Sequence, residues 1–158
     1  MFRLNKLTDY GIVLLTHFAR QGGGTNAREL AAAVALPLPT VGKLLKTLTH
    51  EGLLVSQRGK SGGYALARPP AEITIASIVA ALEGPISITE CNVPGTCEHE
   101  RGCGVRTNWQ AINRAVHDAL ARLTLADMSR PLLPTRFGLE RPTRLPEAPR
   151  PLQRSVPS

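Results

Sequence analysis

The sequence predicts a mostly α-helical chain that begins with a winged helix-turn-helix and continues into a cysteine loop and a long C-terminal helix. Apolar residues recur at spacings of three and four through the first fifty residues, which indicates amphipathic helices. Two short strand-like runs around a glycine-rich turn follow this helical region directly. All three cysteines lie between positions 91 and 103, just before another helical run. We therefore divide the chain into residues 1–84, 85–130 and 131–158.

Length and composition limit the class of protein. A chain of 158 residues can bury one sizeable core but not two independent ones. The N-terminus lacks the apolar region of a signal peptide, and no run approaches the roughly 18 apolar residues that a membrane span needs. We expect a cytoplasmic protein with no membrane partner, whose cysteines stay reduced.

The positive charge is concentrated at the front of the chain. Residues 1–68 carry nine Lys/Arg against three Asp/Glu, whereas residues 69–130 carry five against seven. A basic head predicts a polyanionic partner, although a solvated basic surface would give the same count. Aromatic residues make up only 4% of the chain, which disfavours stacking of single strands and favours duplex DNA.

The first fifty residues predict three helices. The first runs from Thr8, its expected cap, to about Arg20, and glycines 22–24 stop it. The second begins at Asn26, a capping residue, and the third has Pro39 in its first turn. Two short helices joined by a tight turn predict a helix-turn-helix. The outer face of the third helix carries the candidate DNA contacts Thr40, Lys43, Lys46 and Thr47.

A predicted hairpin follows the third helix. Residues 53–58 and 64–67 are strand-like, and a glycine-rich turn joins them. A hairpin in this place is the wing of a winged helix, and Arg58 and Lys60 could enter a minor groove. An ordinary hairpin with surface cations is the alternative. A phosphate-binding loop is disfavoured because this turn opens no helix.

The cysteines form the pattern Cys91-x5-Cys97-x5-Cys103. Soft thiolates select zinc, copper(I) or iron–sulfur clusters, so three on one loop indicate a metal centre. The spacing matches neither the usual zinc pattern nor a ferredoxin run. The alternatives are three structural or free thiols, or one disulfide with a leftover cysteine.

Two helices flank this loop. Thr74 is expected to cap a helix that ends at Gly84, and a long helix is expected from Val105 to Met128. Apolar residues of the long helix alternate steps of three and four and predict a homodimer seam, with packing on the chain's own head as the alternative. The seam comprises Trp109, Ile112, Val116, Leu120 and Leu123. Residues 131–158, with seven prolines and five arginines, are expected to be disordered.

Together, the winged helix, the wing string from Arg58 to Tyr64 and the Cys-x5-Cys-x5-Cys loop resemble the IscR-like family of winged-helix iron–sulfur transcription regulators. The resemblance covers about residues 1–128. The opening Leu-Asn-Lys-Leu-Thr-Asp-Tyr-Gly is similar to the branch of the family that regulates SUF iron–sulfur assembly genes.

The resemblance implies an iron–sulfur cluster, [2Fe–2S] or [4Fe–4S], bound by Cys91, Cys97 and Cys103. In one family member the fourth ligand is a histidine three residues after the last cysteine, where this chain has Arg106. Another member recruits an aspartate from the partner subunit's first helix, a position that Asp9 matches. His99, inside the loop, is a second candidate. Gly42 stands where a family member has a glutamate that helps choose between operator classes.

The resemblance thus predicts a dimeric repressor of iron–sulfur assembly genes that binds operator DNA according to cluster occupancy. A nitric-oxide sensor, or a thiol-redox or zinc-dependent regulator without iron, is the alternative function. No catalytic constellation is legible in the sequence, so neither an enzyme nor a small-molecule substrate is expected.

Overall fold

The computed structural model describes residues 4–22, 24–57, 59, 62–89, 95, 97 and 103–130. They form a mostly helical fold with a two-stranded antiparallel wing, as the sequence predicts. The elements in chain order are α1 (Lys6–Gln21), α2 (Ala27–Val34), α3 (Leu38–His50), β1 (Leu54–Gln57), β2 (Gly63–Leu66), a 3-10 turn (Pro70–Glu72), α4 (Ile75–Glu83), α5 (Arg106–Ala121) and α6 (Leu125–Met128).

The first helix begins earlier than predicted. Asn5 is its cap, and the Asn5 side chain accepts a hydrogen bond from the backbone N–H of Thr8 at 2.9 Å. The prediction that Thr8 caps the helix is therefore wrong, because Thr8 lies inside α1 and is fully buried. Gly22 ends the helix with a left-handed φ of 65°, as the glycine run predicts.

Helices α2 and α3 form the predicted helix-turn-helix. The Asn26 side chain accepts hydrogen bonds from the backbone N–H groups of Arg28 and Glu29, which confirms it as the cap of α2. Pro39 lies in the first turn of α3, where its missing N–H has no helical partner to lose. The chain turns by 116° between the two helices, within the range usual for this motif.

The wing is held by a third strand position that the sequence analysis did not identify. Strands β1 and β2 pair from Leu54 with Leu66 to Gln57 with Gly63. Thr25 then pairs with Tyr64 through two backbone hydrogen bonds of 3.0 Å each. A Cβ added to Gly63 would lie 2.8 Å from the Thr25 carbonyl oxygen, so this close approach requires glycine. The wing is thus joined to the start of α2.

The predicted long helix is broken into two. Helix α5 ends at Ala121, and the chain becomes extended before Thr124 starts α6 with a capping box that includes Asp127. Backbone hydrogen bonds of 2.8 Å join Ile75 N–H to Leu123 and Leu125 N–H to Ile73. The prediction of one helix from Val105 to Met128 is wrong because this pairing pulls Leu123 and Thr124 out of helical geometry.

One apolar core lies beneath the winged helix. Its fully buried residues come from α1, α2, α3, β1 and α4, and Leu125 of α6 joins them at 0% exposure. The core comprises Ile12, Leu14, Leu15, Phe18, Leu30, Ala31, Val41, Leu44, Leu45, Leu48, Leu53, Leu54, Ile73, Ile75, Ile78, Val79 and Leu125. Burial of these side chains fixes which faces of α1 and α3 remain at the surface.

Within the described ranges, no single helix is long and apolar enough to cross a membrane. Only α2 and α3 taken together reach that length and composition, and they are separated by the 116° bend.

Candidate nucleic-acid interface and cysteine loop

Helix α3 separates a buried apolar face from a polar outer face. Val41, Leu44, Leu45 and Leu48 all have 0% exposure and pack into the core. Packing of this face leaves Lys43 and Lys46 exposed, with Thr40 and Thr47 half-buried beside them. The Thr47 hydroxyl donates to the Lys43 carbonyl at 3.2 Å and is therefore partly engaged within the helix. The structure brings all four predicted residues of α3 to one side of the head.

The outer face of α3 is basic in its middle, at Lys43 and Lys46. The segment Leu38–His50 contains two lysines and no acidic residue. The acidic residue that follows, Glu51, lies 3.1 Å from the exposed His50 ring. Gly42 lies on this face, and a Cβ added there would meet nothing within 4 Å. This surface suits the phosphate backbone of DNA, and Gly42 leaves space for close approach.

The wing follows α3 in the sequence and contains the other two predicted DNA contacts. Arg58 and Lys60 lie outside the described residues, so their contacts are not assigned. In sequence they flank Gly59, which has a left-handed φ of 131°, and Gly62 N–H donates to the Gly59 carbonyl at 2.8 Å. The turn is therefore tight at its described positions, as the glycine-rich sequence predicts.

Two of the three predicted cysteine ligands are described. Cys97 and Cys103 are free thiols and half-buried, and Cys103 lies three residues before α5. Cys91 and His99 lie outside the described residues. Among the residues that are described, no three His, Cys, Asp or Glu side chains are close enough to hold a metal ion. The thiol pair is thus compatible with soft-metal ligation, and a three-ligand set remains a prediction.

Asp9 lies on the exposed side of α1. It lines a surface cavity of about 520 Å³ between α1, α2 and α6. Val13 and Met128 line the same cavity and are unusually exposed for apolar residues, at 43% and 38%. Thr16, His17 and Arg20 also line it, so the groove is mixed in character, and the Asp9 carboxylate at its edge is exposed to a second molecule.

The cysteine segment is the part of the chain that joins α4 to α5, and the end of α4 that leads into it is anchored to α1. Glu83 is the last residue of α4, and its Oε1 accepts the Thr8 hydroxyl at 2.5 Å and the Asn5 backbone N–H at 2.9 Å. A carboxylate at the N-terminus of α1 also interacts favourably with the helix dipole. The start of the helix that carries Asp9 is therefore fixed to the start of the cysteine segment.

A second anchor holds the cysteine segment to α5. The Ile88 backbone N–H donates to the side-chain oxygen of Asn113 at 2.8 Å, across 25 residues. Asn113 is the one buried residue of α5, at 3% exposure. Its Nδ2 and the Thr89 hydroxyl are buried without a hydrogen-bond partner in the described structure. The sequence analysis missed these residues, since polar positions on an amphipathic helix are usually solvated.

Comparison with known proteins gives a consistent result. Residues 4–131 match the Rrf2 family, which is described as an iron-dependent transcriptional regulator. The transcriptional repressor NsrR of Streptomyces coelicolor is 30% identical over 146 residues, covering 89% of this chain and 99% of that protein.

Solved structures of related regulators have the same fold. The global cysteine regulator CymR of B. subtilis superposes with a TM-score of 0.65 at 31% identity, covering 82% of this chain and 97% of that one. The T. potens IscR structure gives a TM-score of 0.62 at 26% identity, covering 80% and 85%.

Proposed function

This chain belongs to the Rrf2 family of iron-dependent transcriptional regulators, and from that premise we propose that it is a cluster-sensing homodimeric repressor. In this proposal Cys91, Cys97 and Cys103 hold an iron–sulfur cluster whose occupancy sets operator affinity. The observation that carries the proposal is the three-cysteine segment between α4 and α5, anchored at Glu83 and at Asn113. Like its relatives, the chain is a transcriptional regulator and not an enzyme.

The residues present suit an iron–sulfur cluster chemically. Such clusters are held by cysteine thiolates, and Cys97 and Cys103 are unpaired thiols with partial exposure. The Thr89 hydroxyl and Asn113 Nδ2 are buried without a partner in the described structure; Thr89 lies two residues before Cys91 in sequence, and Asn113 contacts Ile88 through its oxygen. When bound, the cluster supplies ligation that orders the segment and a sensitivity to oxidation and iron supply.

The anchors give the segment a route to the DNA-binding head. Glu83 contacts the N-terminus of α1, and α1 packs against α2, α3 and α4. Ordering of the cysteine segment would therefore bias the position of the head relative to α5. A shift from 1:99 to 99:1 between two forms requires about 5.5 kcal/mol of differential binding.

Dimerisation through α5 is part of the proposal. Ile112 of the predicted seam is exposed at 45%, and Val105, the residue just before α5, is exposed at 51%, while Leu120 and Leu123 of the seam pack on the chain's own core. Ile112 and its half-buried seam neighbours Trp109 and Val116 are the part of the seam that we assign to a second copy. In a dimer, Asp9 in the neighbouring head is our first choice for the fourth ligand, and His99 is the second.

The primary experiment is anaerobic purification followed by an ultraviolet–visible spectrum with iron and sulfide analysis. We expect visible charge-transfer absorption and matching iron and sulfide, both lost in Cys103→Ser and retained in Thr107→Ser, an exposed control on α5. A colourless wild-type protein that also resists reconstitution would contradict the cluster. The same spectrum separates two-iron from four-iron clusters.

The fourth ligand is tested with two carboxylate variants. Asp9→Ala is expected to weaken cluster retention, whereas Glu29→Ala removes an exposed carboxylate from the first turn of α2 and leaves retention unchanged. Equal retention in both variants would contradict Asp9 as the fourth ligand. His99→Ala would then be measured, with His117→Ala as its control.

DNA recognition is tested with a duplex selected from a random pool by the wild-type protein. Arg58→Ala is expected to weaken binding and to reduce the salt slope by about one, with cluster absorbance unchanged. Arg114→Ala, on α5, is the control for loss of an arginine. Unchanged affinity in Arg58→Ala would mean that the wing does not contact DNA.

A second candidate function is thiol-redox control without iron. It is favoured by the similarity to CymR, a cysteine regulator, and by the free thiols Cys97 and Cys103. This alternative predicts a colourless protein that forms a disulfide under peroxide. A nitric-oxide sensor would instead show nitrosylation spectra of a coloured protein.

Control of SUF genes is tested by mapping where the protein binds the genome.

A further inference from the structure

The outer face of α1 forms one wall of the surface cavity of about 520 Å³, and residues of α2 and α6 form the other wall. We call this cavity the α1 groove. Asp9 and Arg20 mark its two ends along α1, which are about 16 Å apart at the rise of an α-helix. The proposed function uses Asp9 alone, so the rest of the groove has no assigned role. Its lining comprises Asp9, Ile12, Val13, Thr16, His17, Arg20, Ala33, Val34 and Met128.

Two polar side chains of the α1 groove are engaged within the fold. The Thr16 hydroxyl donates to the Ile12 carbonyl at 2.7 Å, and Arg20 Nε donates to the Ser129 carbonyl at 3.2 Å. The exposed Asp9 carboxylate places a negative charge at one end. The groove therefore combines apolar walls with one available anion.

The exposed apolar surface lies along the middle of the groove. Val13 and Met128 are exposed at 43% and 38%, and the half-buried Val34 lies on the wall formed by α2. Covering such side chains removes apolar area from water and is favourable. An occupant of this groove would carry apolar side chains and a cation.

The described part of the chain ends beside the α1 groove. Met128 belongs to its lining, and the bond from Arg20 holds the Ser129 carbonyl at the Arg20 end. The Arg130 N–H donates to the Asp127 carbonyl at 3.3 Å, which places the backbone up to residue 130. The last 28 residues of the chain follow. They begin next to the groove, with no long connection to cross.

The sequence that follows suits a narrow apolar groove. Residues 131–136 are Pro-Leu-Leu-Pro-Thr-Arg. Each proline fixes its own φ and pushes the preceding residue toward extended or polyproline II backbone. A segment restricted in this way loses little entropy on binding, and Pro-x-x-Pro segments bind apolar grooves for this reason. Leu132 and Leu133 supply the apolar side chains.

The length and the charge of this segment also match the groove. Polyproline II backbone rises about 3.1 Å per residue, so the six steps from Arg130 to Arg136 span about 19 Å. That distance slightly exceeds the length of the groove, and Asp9 lies at its far end. Arg136 can therefore reach the exposed carboxylate, with which a guanidinium forms charge-assisted hydrogen bonds.

We propose that residues 131–136 dock in the α1 groove of their own chain. The two leucines cover Val13 and Met128, and Arg136 pairs with Asp9. Docking needs no metal, but it covers the carboxylate that the proposed function gives to a second copy. The segment and the second copy therefore compete for the same face of α1.

Trypsin distinguishes Arg136 from the other arginines of the tail. It cleaves after Arg136 and Arg144, whereas the arginines at 130, 141 and 150 precede proline and resist cleavage. Cleavage of a docked segment follows the population of its undocked form. The ratio of the rate after Arg136 to the rate after Arg144 thus reports docking, with the second site as an internal reference.

The first comparison uses full-length, metal-stripped protein. The ratio in wild type is expected to be at least about tenfold lower than in Leu132→Ser/Leu133→Ser, because the variant loses the apolar contacts that hold the segment. Leu152→Ser/Val156→Ser makes the same change near the end of the chain and should keep the wild-type ratio. Equal ratios in wild type and in Leu132→Ser/Leu133→Ser would overturn the proposal.

The groove side is tested with the tail sequence unchanged. Val13→Gln and Val55→Gln place the same polar side chain at valines that are exposed at 43% and 42%, and Val55 lies on β1 instead of in the groove. Val13→Gln is expected to raise the ratio at least about threefold, whereas Val55→Gln should leave it unchanged. A wild-type ratio in Val13→Gln would contradict docking at this groove.

Methyl NMR identifies the occupant. Nuclear Overhauser contacts between the methyl groups of Val13 and those of Leu132 or Leu133 are expected in dilute protein. A Met128 methyl signal that shifts with protein concentration, together with rapid cleavage after Arg136, would assign the groove to a second copy and overturn the proposal. Neither contact nor shift would mean an empty groove and would overturn it as well. These outcomes do not depend on iron, so they are separate from a failure of the proposed function.

Discussion

The winged-helix head and helix α5 differ sharply in how they are held. The head contributes sixteen of the seventeen apolar residues in one buried cluster, Leu125 of α6 being the other, and most leucines of α1 and α3 are at 0% exposure. Helix α5 has 16 residues, and its one buried member is the polar Asn113. The head is therefore stabilised by its own core, whereas α5 is held by packing on α4, by the hydrogen bond between Ile88 and Asn113, and by Leu120, which packs on the edge of that core.

This difference in packing predicts which part of the chain responds to a bound group. A region with few buried apolar contacts opens at lower free energy than a packed core, so it responds more readily to a bound group or a second subunit. In the proposed function the head would supply a rigid DNA-binding surface, and α5 would be the part whose position responds.

The largest test of this contrast compares two aliphatic truncations. Leu45→Ala, at a position with 0% exposure, should lower the free energy of unfolding by about 2–5 kcal/mol because it leaves a cavity in the core. Ile112→Ala, at 45% exposure, should change it by less than about 0.5 kcal/mol in protein dilute enough to be monomeric. Urea unfolding measures both. Similar losses would mean that α5 carries as much of the stability as the head.

The next test concerns close approach within the head. Gly63→Ala should destabilise by about 1–3 kcal/mol, since its Cβ would lie 2.8 Å from the Thr25 carbonyl oxygen and force the wing away from α2. Gly42→Ala meets open space in α3 and should stabilise the helix by up to about 1 kcal/mol. Thermal unfolding of the two variants gives the sign of each change. A stable Gly63→Ala protein would show that the Thr25–Tyr64 pairing is dispensable.

The smallest test is on the joint between the two regions. Thr8→Val removes the hydroxyl that donates to Glu83 and should cost about 0.5–1.5 kcal/mol, because the exposed carboxylate keeps the Asn5 N–H and can reach water. Thr16→Val is the control, as its hydroxyl bonds only to the Ile12 carbonyl of the same helix. A Thr8→Val protein as stable as the control would locate the coupling elsewhere.

The elements that sequence analysis predicted well are those with local signals. Asn26 and Thr74 cap their helices as expected, and the glycine runs end α1 and turn the wing. Thr8 was misassigned because two capping residues lie three apart, and the choice between them depends on Glu83, 75 residues away. Side-chain periodicity also could not reveal that residues 123–125 pair with residues 73–75.

In the candidate site, too, local features can be predicted from sequence and distant contacts cannot. The cysteine pattern indicates a soft-metal site, and the periodicity of α3 indicates its basic face, because each feature lies within one segment. The anchoring contact of Asn113 cannot be predicted in this way, since it joins Asn113 to Ile88 across 25 residues. The fourth ligand is harder still to predict from the sequence of one chain, because a residue such as Asp9 would come from another subunit.

The pairing of Leu125 with Ile73 has a thermodynamic consequence for ligand binding. Because both ends of the intervening chain are fixed to the same core, the entropy of closing that long loop is already lost when the head folds. If the proposed cluster forms, it would bind a tethered segment in which the thiols have a high effective concentration. By linkage, the loaded protein should melt at a higher temperature than the stripped one, and iron starvation would register as a loss of thermal stability in the DNA-binding head.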